Sequence, residues 1–260
     1  MISVSRFPFR VPEHLLNSDS ATWRNDLCEA RATFYSEHAK FHRGERLDRP
    51  KRPRANSSHY AHPSVRQILM AIFGPKCCYC EANVKAVSDQ HVEHFRPASR
   101  YPALAYEWDN LLLACTKCNR DFKSDRFPLL PGGHTVAELR RKPCSRTAEG
   151  ERPYLVNPCF DTPEHHITFK DARVVSTTDR GLLTRRTCGL NRPDLLEERR
   201  SWLAMVRATA KAYEAAQNVG RTDDADYYGG VLRRCTQSKS TFAGMVRAEL
   251  TSMGINWQTL

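Results

Sequence analysis

Leu15, Leu16, Trp23, Leu27, Ala30 and Phe34 recur at helical intervals, which predicts helix over residues 13–42. The same period returns after Pro63-Ser64 in Val65, Ile68, Leu69, Ile72 and Phe73, and Gly74-Pro75 closes that run. The pattern then changes. His91-Val92-Glu93-His94-Phe95, stopped by Pro97, and Asn110-Leu111-Leu112-Leu113-Ala114-Cys115 read as two short strands with a loop around Pro102 between them. From Lys117 to Lys123 the chain suits helix again, which would set Cys115, Asn119 and Lys123 one turn apart along one side.

Downstream, residues 131–165 are rich in Pro, Gly and charge, and Ile167–Phe169 with Arg173–Thr177 form a candidate hairpin. Pro193 opens a long helix whose apolar stripe is Leu195, Leu196, Trp202, Met205, Val206 and Tyr213. Two more helices follow, near 223–236 and 239–253, carrying Val231, Leu232, Phe242, Met245, Val246 and Leu250, and Gly254 ends the second. No internal repeat is visible. Three stretches are expected: a helical 1–76, a strand-strand-helix unit over 77–130, and a mixed then helical 131–260.

Charge narrows the partner. Forty Lys and Arg against 29 Asp and Glu leave +11, a surplus that points to a polyanion, with nucleic acid first and a merely solvated basic surface as the bland alternative. Residues 43–58 concentrate it in an exposed Pro-rich loop, where Arg43, Arg46, Arg49, Lys51, Arg52 and Arg54 either follow phosphates or solubilise a linker. The opening residues lack the apolar core of a secretory signal. Runs such as Leu111–Cys115 are far short of the ~20 residues a bilayer span requires. A cytoplasmic protein with reduced thiols and no membrane association is the expectation.

Ten cysteines are present. Cys77/Cys80 and Cys115/Cys118 form two Cys-x2-Cys pairs at structural-zinc spacing, a closed site that staples two chain segments without an open coordination position. Cys77 is preferred to Cys78 because Cys78 would leave one residue before Cys80. Cys28, Cys144, Cys159, Cys188 and Cys235 read as buried small apolar residues or spectators, and His165-His166 lacks a carboxylate that would complete a second metal site.

Between the pairs stand Glu93-His94 and Asn110, and Asn119 follows the last cysteine. Hydrolysis of a phosphodiester needs a group that deprotonates water and a cation that neutralises developing charge. His94 is the natural base. Glu93 and Asn119 offer hard oxygens to Mg²⁺ or Mn²⁺, and Asn110 would bond to the loop backbone or to the second nitrogen of His94. His91 shares a strand face with Glu93 and is a third ligand, a phosphate donor or an ordinary hydrogen-bonded histidine. Lys123 and Arg96 are candidates to neutralise phosphate or to pair with surface acids. Arg100 and Arg120 read as basic surface.

These residues carry a family resemblance. Cys77-x2-Cys80, Val92-Glu93-His94-Phe95-Arg96-Pro97, Trp108-Asp109-Asn110-Leu111 and Cys115-x2-Cys118-Asn119-x3-Lys123 resemble the HNH, or ββα-metal, nucleases with a four-cysteine zinc, in the variant whose final histidine is asparagine. The resemblance implies an α+β fold, a zinc-stapled ββα-metal core with mainly helical N- and C-terminal regions. It also implies His94 as base, Glu93 and Asn119 as metal ligands, and Asn110 as the middle motif residue. Most relatives have Asp before the base; here it is Glu93, whose extra methylene could shift the cation. Leu104–Leu113, Leu155-Val156-Asn157-Pro158-Cys159, Pro163-Glu164-His165 and Cys188-Gly189-Leu190-Asn191-Arg192 narrow the likeness to the HNH subunit of the Septu anti-phage system and retron-associated HNH proteins. That family implies an ABC-type ATPase partner and a DNA substrate, with RNA, transfer RNA included, as the alternative. A non-catalytic zinc-ribbon module that binds nucleic acid is the competing reading from outside the enzyme class.

Overall fold

The computed structural model describes residues 1–84, 91–131 and 151–260. The expected N-terminal helix forms in two pieces, α1 (Glu13–Leu16) and α2 (Ser18–His42), because Asn17 takes an extended conformation between them. Leu27 of the expected stripe is buried on the inward face of α2, together with Cys28 and Arg31, which the stripe did not include. Leu16 is 65% exposed and Ala30 also faces solvent. In the basic loop a short α3 (Ser57–Tyr60) is capped by the Asn56 side chain. Next, α4 (Pro63–Phe73) buries Val65, Leu69, Ile72 and Phe73, each burial of this kind worth about 1.5–3 kcal/mol. It stops at Gly74, where φ is 68° and an added Cβ would lie 2.7 Å from the Lys239 carbonyl oxygen.

Strands β1 (His91–His94) and β2 (Leu111–Ala114) pair antiparallel, with His91 opposite Ala114 and His94 opposite Leu111. Their sheet rests on α4. The helix expected after Cys115 is present over Lys117–Lys123 but winds as a π-helix: the Ser124 amide donates to the Asn119 carbonyl at 2.6 Å, five residues back. The wider turn accompanies a buried Lys123 whose ammonium donates to the His94 carbonyl at 2.8 Å, tying the helix to β1.

The hairpin of β3 (Ile167–Lys170) and β4 (Arg173–Ser176) forms as expected. A helix the pattern did not suggest, α5 (Asp179–Thr187), follows it; only Gly181, Thr184 and Thr187 are buried along it, so it carries no apolar period to read. The Thr178 side chain caps it, and Thr184 Oγ1 accepts the Val156 amide at 2.9 Å. Helices α6 (Pro193–Asn218), α7 (Thr222–Thr236) and α8 (Ala243–Ser252) complete the chain. Val206, Ala210, Leu232, Val246 and Leu250 join them in a cluster of their own. The main core is continuous from Val4 and Leu15 through Phe73 and Leu113 to Leu195 and Leu203, so the strand-strand-helix unit is packed from both chain ends. No helix among the described residues is long and apolar enough to cross a membrane. Cys144 lies outside the described residues.

Candidate active site and metal centre

The sulfurs of Cys77, Cys80, Cys115 and Cys118 lie within 4.8 Å of one another and all four residues are buried. Cys80 and Cys115 are 3.8 Å apart at sulfur, beyond any disulfide bond. Two turns build the group. In the first, the Glu81 amide donates to the Cys77 carbonyl at 3.0 Å and the Cys78 amide to Leu113 on β2 at 2.8 Å. In the second, the Cys118 amide points at the Cys115 sulfur at 3.4 Å. The Glu81 carboxylate, itself buried, anchors the first turn through Lys76 at 2.8 Å and the Gly244 amide at 3.2 Å. Burial pushes the Cys77 thiol well above its ordinary range, a cost that a bound cation would offset. The donor set fits Zn²⁺, and Cys77 rather than Cys78 belongs to it.

Arg192 reaches this group from the start of α6, its Nη1 at 3.4 Å from the Cys118 sulfur and its Nη2 at 3.8 Å from that of Cys80. Four thiolates around a divalent ion leave excess negative charge, which a guanidinium offsets. The role was not read from the sequence; its one signal was the Cys188–Arg192 phrase in the family likeness.

A cleft of about 940 Å³, which none of the four cysteines lines, is bordered by His91, Glu93, His94, Asn119, Arg120 and Asp125. The N-terminal stretch closes it with Arg31, Arg52, Arg54 and Tyr60. His94 Nε2 lies 2.8 Å from the Ala105 carbonyl oxygen. A carbonyl only accepts, so that nitrogen carries the hydrogen and Nδ1 holds the free lone pair. Tyr60 packs edge-on against the ring at 4.4 Å. Burial, with a smaller contribution from Lys123, lowers the imidazole to about 4 against the opposing pull of the Ala105 carbonyl, so the ring is neutral at physiological pH.

Asn110 holds the loop that presents this carbonyl. Its Oδ1 accepts the Arg96 amide at 2.8 Å, and its Nδ2 donates to the carbonyls of Arg96 and Leu104, both at 3.0 Å. Of the two roles expected for Asn110, the bond to the loop backbone is the one formed.

Glu93 is 3% exposed, and its Oε1 is ion-paired with the Lys123 ammonium. The Tyr79 hydroxyl donates to the same oxygen at 3.5 Å. Burial raises this carboxyl and Lys123 opposes the rise. Oε2 takes no hydrogen bond from the described residues. Together with the carboxamide of Asn119 on the neighbouring wall, it offers hard oxygen donors that suit Mg²⁺ or Mn²⁺.

Residues 77–124 match the HNH endonuclease family. The chain carries an HNH endonuclease domain. The chain is also 30% identical to the Septu protein PtuB of Bacillus mycoides (strain KBAB4) over 76% of this chain and 66% of that one. It is 27% identical to the Septu protein PtuB of Bacillus thuringiensis over 62% of this chain and 55% of the relative. A third match, to the Septu protein PtuA of B. mycoides, is 28% identical over 52% of this chain but only 20% of that protein. The chain thus spans just under two thirds of the first PtuB and little more than half of the second. No solved structure matches it.

Around the HNH domain the remaining expectations fall unevenly. Lys123 is fully buried and committed to Glu93 and the His94 carbonyl, so no ammonium is left over for a phosphate. Arg96 pairs with Glu151 at 3.0 Å, lies 5.7 Å from the rings of Phe95 and Phe127, and borders a separate depression. Arg120, expected as plain surface, is on the cleft wall, as is Asp125, which the sequence reading passed over. A slightly larger concavity of about 1010 Å³ lies between β4 and α6, with Arg173, Arg186 and Arg200 on its rim and Val174 and Leu203 at its floor. It has no histidine and no cysteine, so the smaller cleft is the stronger candidate for chemistry.

Proposed function

We propose that this chain is a metal-dependent endonuclease that hydrolyses DNA phosphodiesters in the His94 cleft. The reading is carried by the His94 tautomer: with Nε2–H spent on the Ala105 carbonyl, Nδ1 is a neutral base beside oxygen donors for a cation. Nδ1 takes a proton from water, the oxygen attacks phosphorus, and the bond to the 3′ oxygen breaks; that oxygen takes a proton from solvent, giving a 5′-phosphate and a 3′-hydroxyl. Glu93 Oε2 and Asn119 would hold Mg²⁺ or Mn²⁺, which supplies charge neutralisation at the phosphate. Asn110 keeps the imidazole aligned through the Leu104–Ala105 turn. Cys77, Cys80, Cys115 and Cys118 would hold a structural zinc, which would tie the Cys77–Cys80 turn to the start of the π-helix and leave no open position for the phosphate.

The matches to proteins named Septu PtuB and PtuA support a place for this nuclease in a system of the Septu type, and the family resemblance adds an anti-phage role in the cytoplasm with an ABC-type ATPase partner. Purified protein, with and without the co-expressed ATPase, is incubated with supercoiled plasmid and with total RNA, with and without Mg²⁺. Metal-dependent loss of the plasmid is expected, and His94→Ala slows it roughly 10²- to 10⁴-fold with zinc content unchanged. Cleavage by His94→Ala at the parent rate would overturn the assignment of the base. Binding without strand breaks in every lane would leave only the zinc-ribbon module, and loss of RNA alone would move the substrate.

A further inference from the structure

Arg31 lies in α2, a helix to which the sequence assigned no chemistry, yet its side chain lines the His94 cleft and only 1% of the residue is exposed. Its Nη2 donates to the Ser99 carbonyl and, at 3.4 Å, to that of Ala98. Its Nε and Nη1 are buried without any hydrogen-bond partner. From the basic loop, Arg52 donates its own Nη2 to the same Ser99 carbonyl. Two guanidinium groups therefore converge on one oxygen, and among the described residues neither is ion-paired with a carboxylate. Asp125, on the same cleft wall, acts on Arg31 only through space, while Arg52 opposes its charge.

Arg199 shows how a structural arginine differs. It is equally buried, but it spends both Nη1 and Nη2 on the carbonyls of Ala172, Leu190 and Cys80, so that Nε alone lacks a partner. Arg31 engages one nitrogen of three. Burying a cation against a second cation with donors left over is unfavourable unless an anion completes the arrangement. The planar fork of guanidinium matches the oxygens of a phosphate.

We propose that Arg31 and Arg52 form a clamp for one backbone phosphate of the nucleic-acid strand at the wall of the His94 cleft. The clamp rests on the reading of that cleft as a nuclease site and adds to it the residues that grip the strand. Being a contact to the backbone, it positions the strand without reading bases.

The test separates gripping from cutting. In a His94→Ala background, anisotropy of fluorescein-labelled duplex DNA and of labelled RNA is followed across a salt series for the parent and for Arg52→Ala, Arg31→Met and, as control, Arg221→Ala. Arg52→Ala and Arg31→Met are each expected to weaken binding about tenfold and to lower the salt slope by about one. Arg31→Met should keep or raise the melting temperature, since it removes a buried unpaired charge, and Arg221→Ala should match the parent. Unchanged affinity and slope in Arg52→Ala overturn the clamp. So does an Arg31→Met variant that melts earlier while its folded fraction binds normally, which would make Arg31 a packing residue. Wild-type protein that never cleaves, with Arg52-dependent binding intact, sinks the nuclease reading and leaves the clamp standing.

Discussion

The sulfur cluster and the His94 cleft share one short stretch of chain, yet they treat their polar atoms in opposite ways. Around the sulfurs, the Cys118 amide and the Arg192 guanidinium turn inward and the group is closed by burial. In the cleft each group is half satisfied: His94 uses Nε2 and keeps Nδ1, Glu93 uses Oε1 and keeps Oε2, Arg31 uses Nη2 and keeps Nε and Nη1. The committed atom fixes the orientation of each side chain, and the withheld atom is available to a ligand. A structural centre has no reason to withhold anything, because every unpaired buried donor costs it stability.

Removing the metal tests the closed half of this contrast most severely. Chelation should release one zinc per chain, measured with a colorimetric zinc dye, and abolish cooperative melting of the core, since a structural zinc contributes on the order of 10 kcal/mol. An unchanged melting curve after zinc release would mean that the sulfurs are not a staple. Lys123→Met comes next. It strands the buried Glu93 carboxylate and should cost about 3–5 kcal/mol in denaturant unfolding, much of it recovered in the Lys123→Met/Glu93→Gln double variant. A loss below about 1 kcal/mol would show that Glu93 finds another partner, and the idea of one committed oxygen would fall. The smallest effect is expected at Arg192→Leu, which should weaken zinc binding about 10- to 100-fold in competition with a chelator while leaving cleavage intact at saturating zinc. If cleavage falls at full zinc occupancy, the two centres are coupled rather than separate.

What could be read along the chain was whatever depends on near neighbours. The Cys-x2-Cys spacings, the His-bearing strand, the position of Asn110 one strand later and Asn119 after the last cysteine all follow from turn geometry and strand period. Helix α5 escaped because its buried positions are a glycine and two threonines, which leave no apolar rhythm. The face of α2 was anticipated only in part, for a related reason: beside Leu27 its inner side includes Arg31, a residue that hydropathy places outside.

By itself the amino-acid order determined the sulfur pairs, the histidine-bearing strand and the strand-strand-helix sequence, since each is set within a few residues by covalent geometry. Only the tertiary structure decided that Lys123 would be consumed by Glu93, that Arg192 would cross 112 positions to reach Cys80, and that Arg31 would reach the loop at Ser99 from 68 positions away. Charge placement of that kind depends on which surfaces are buried together, and burial belongs to the packed molecule as a whole.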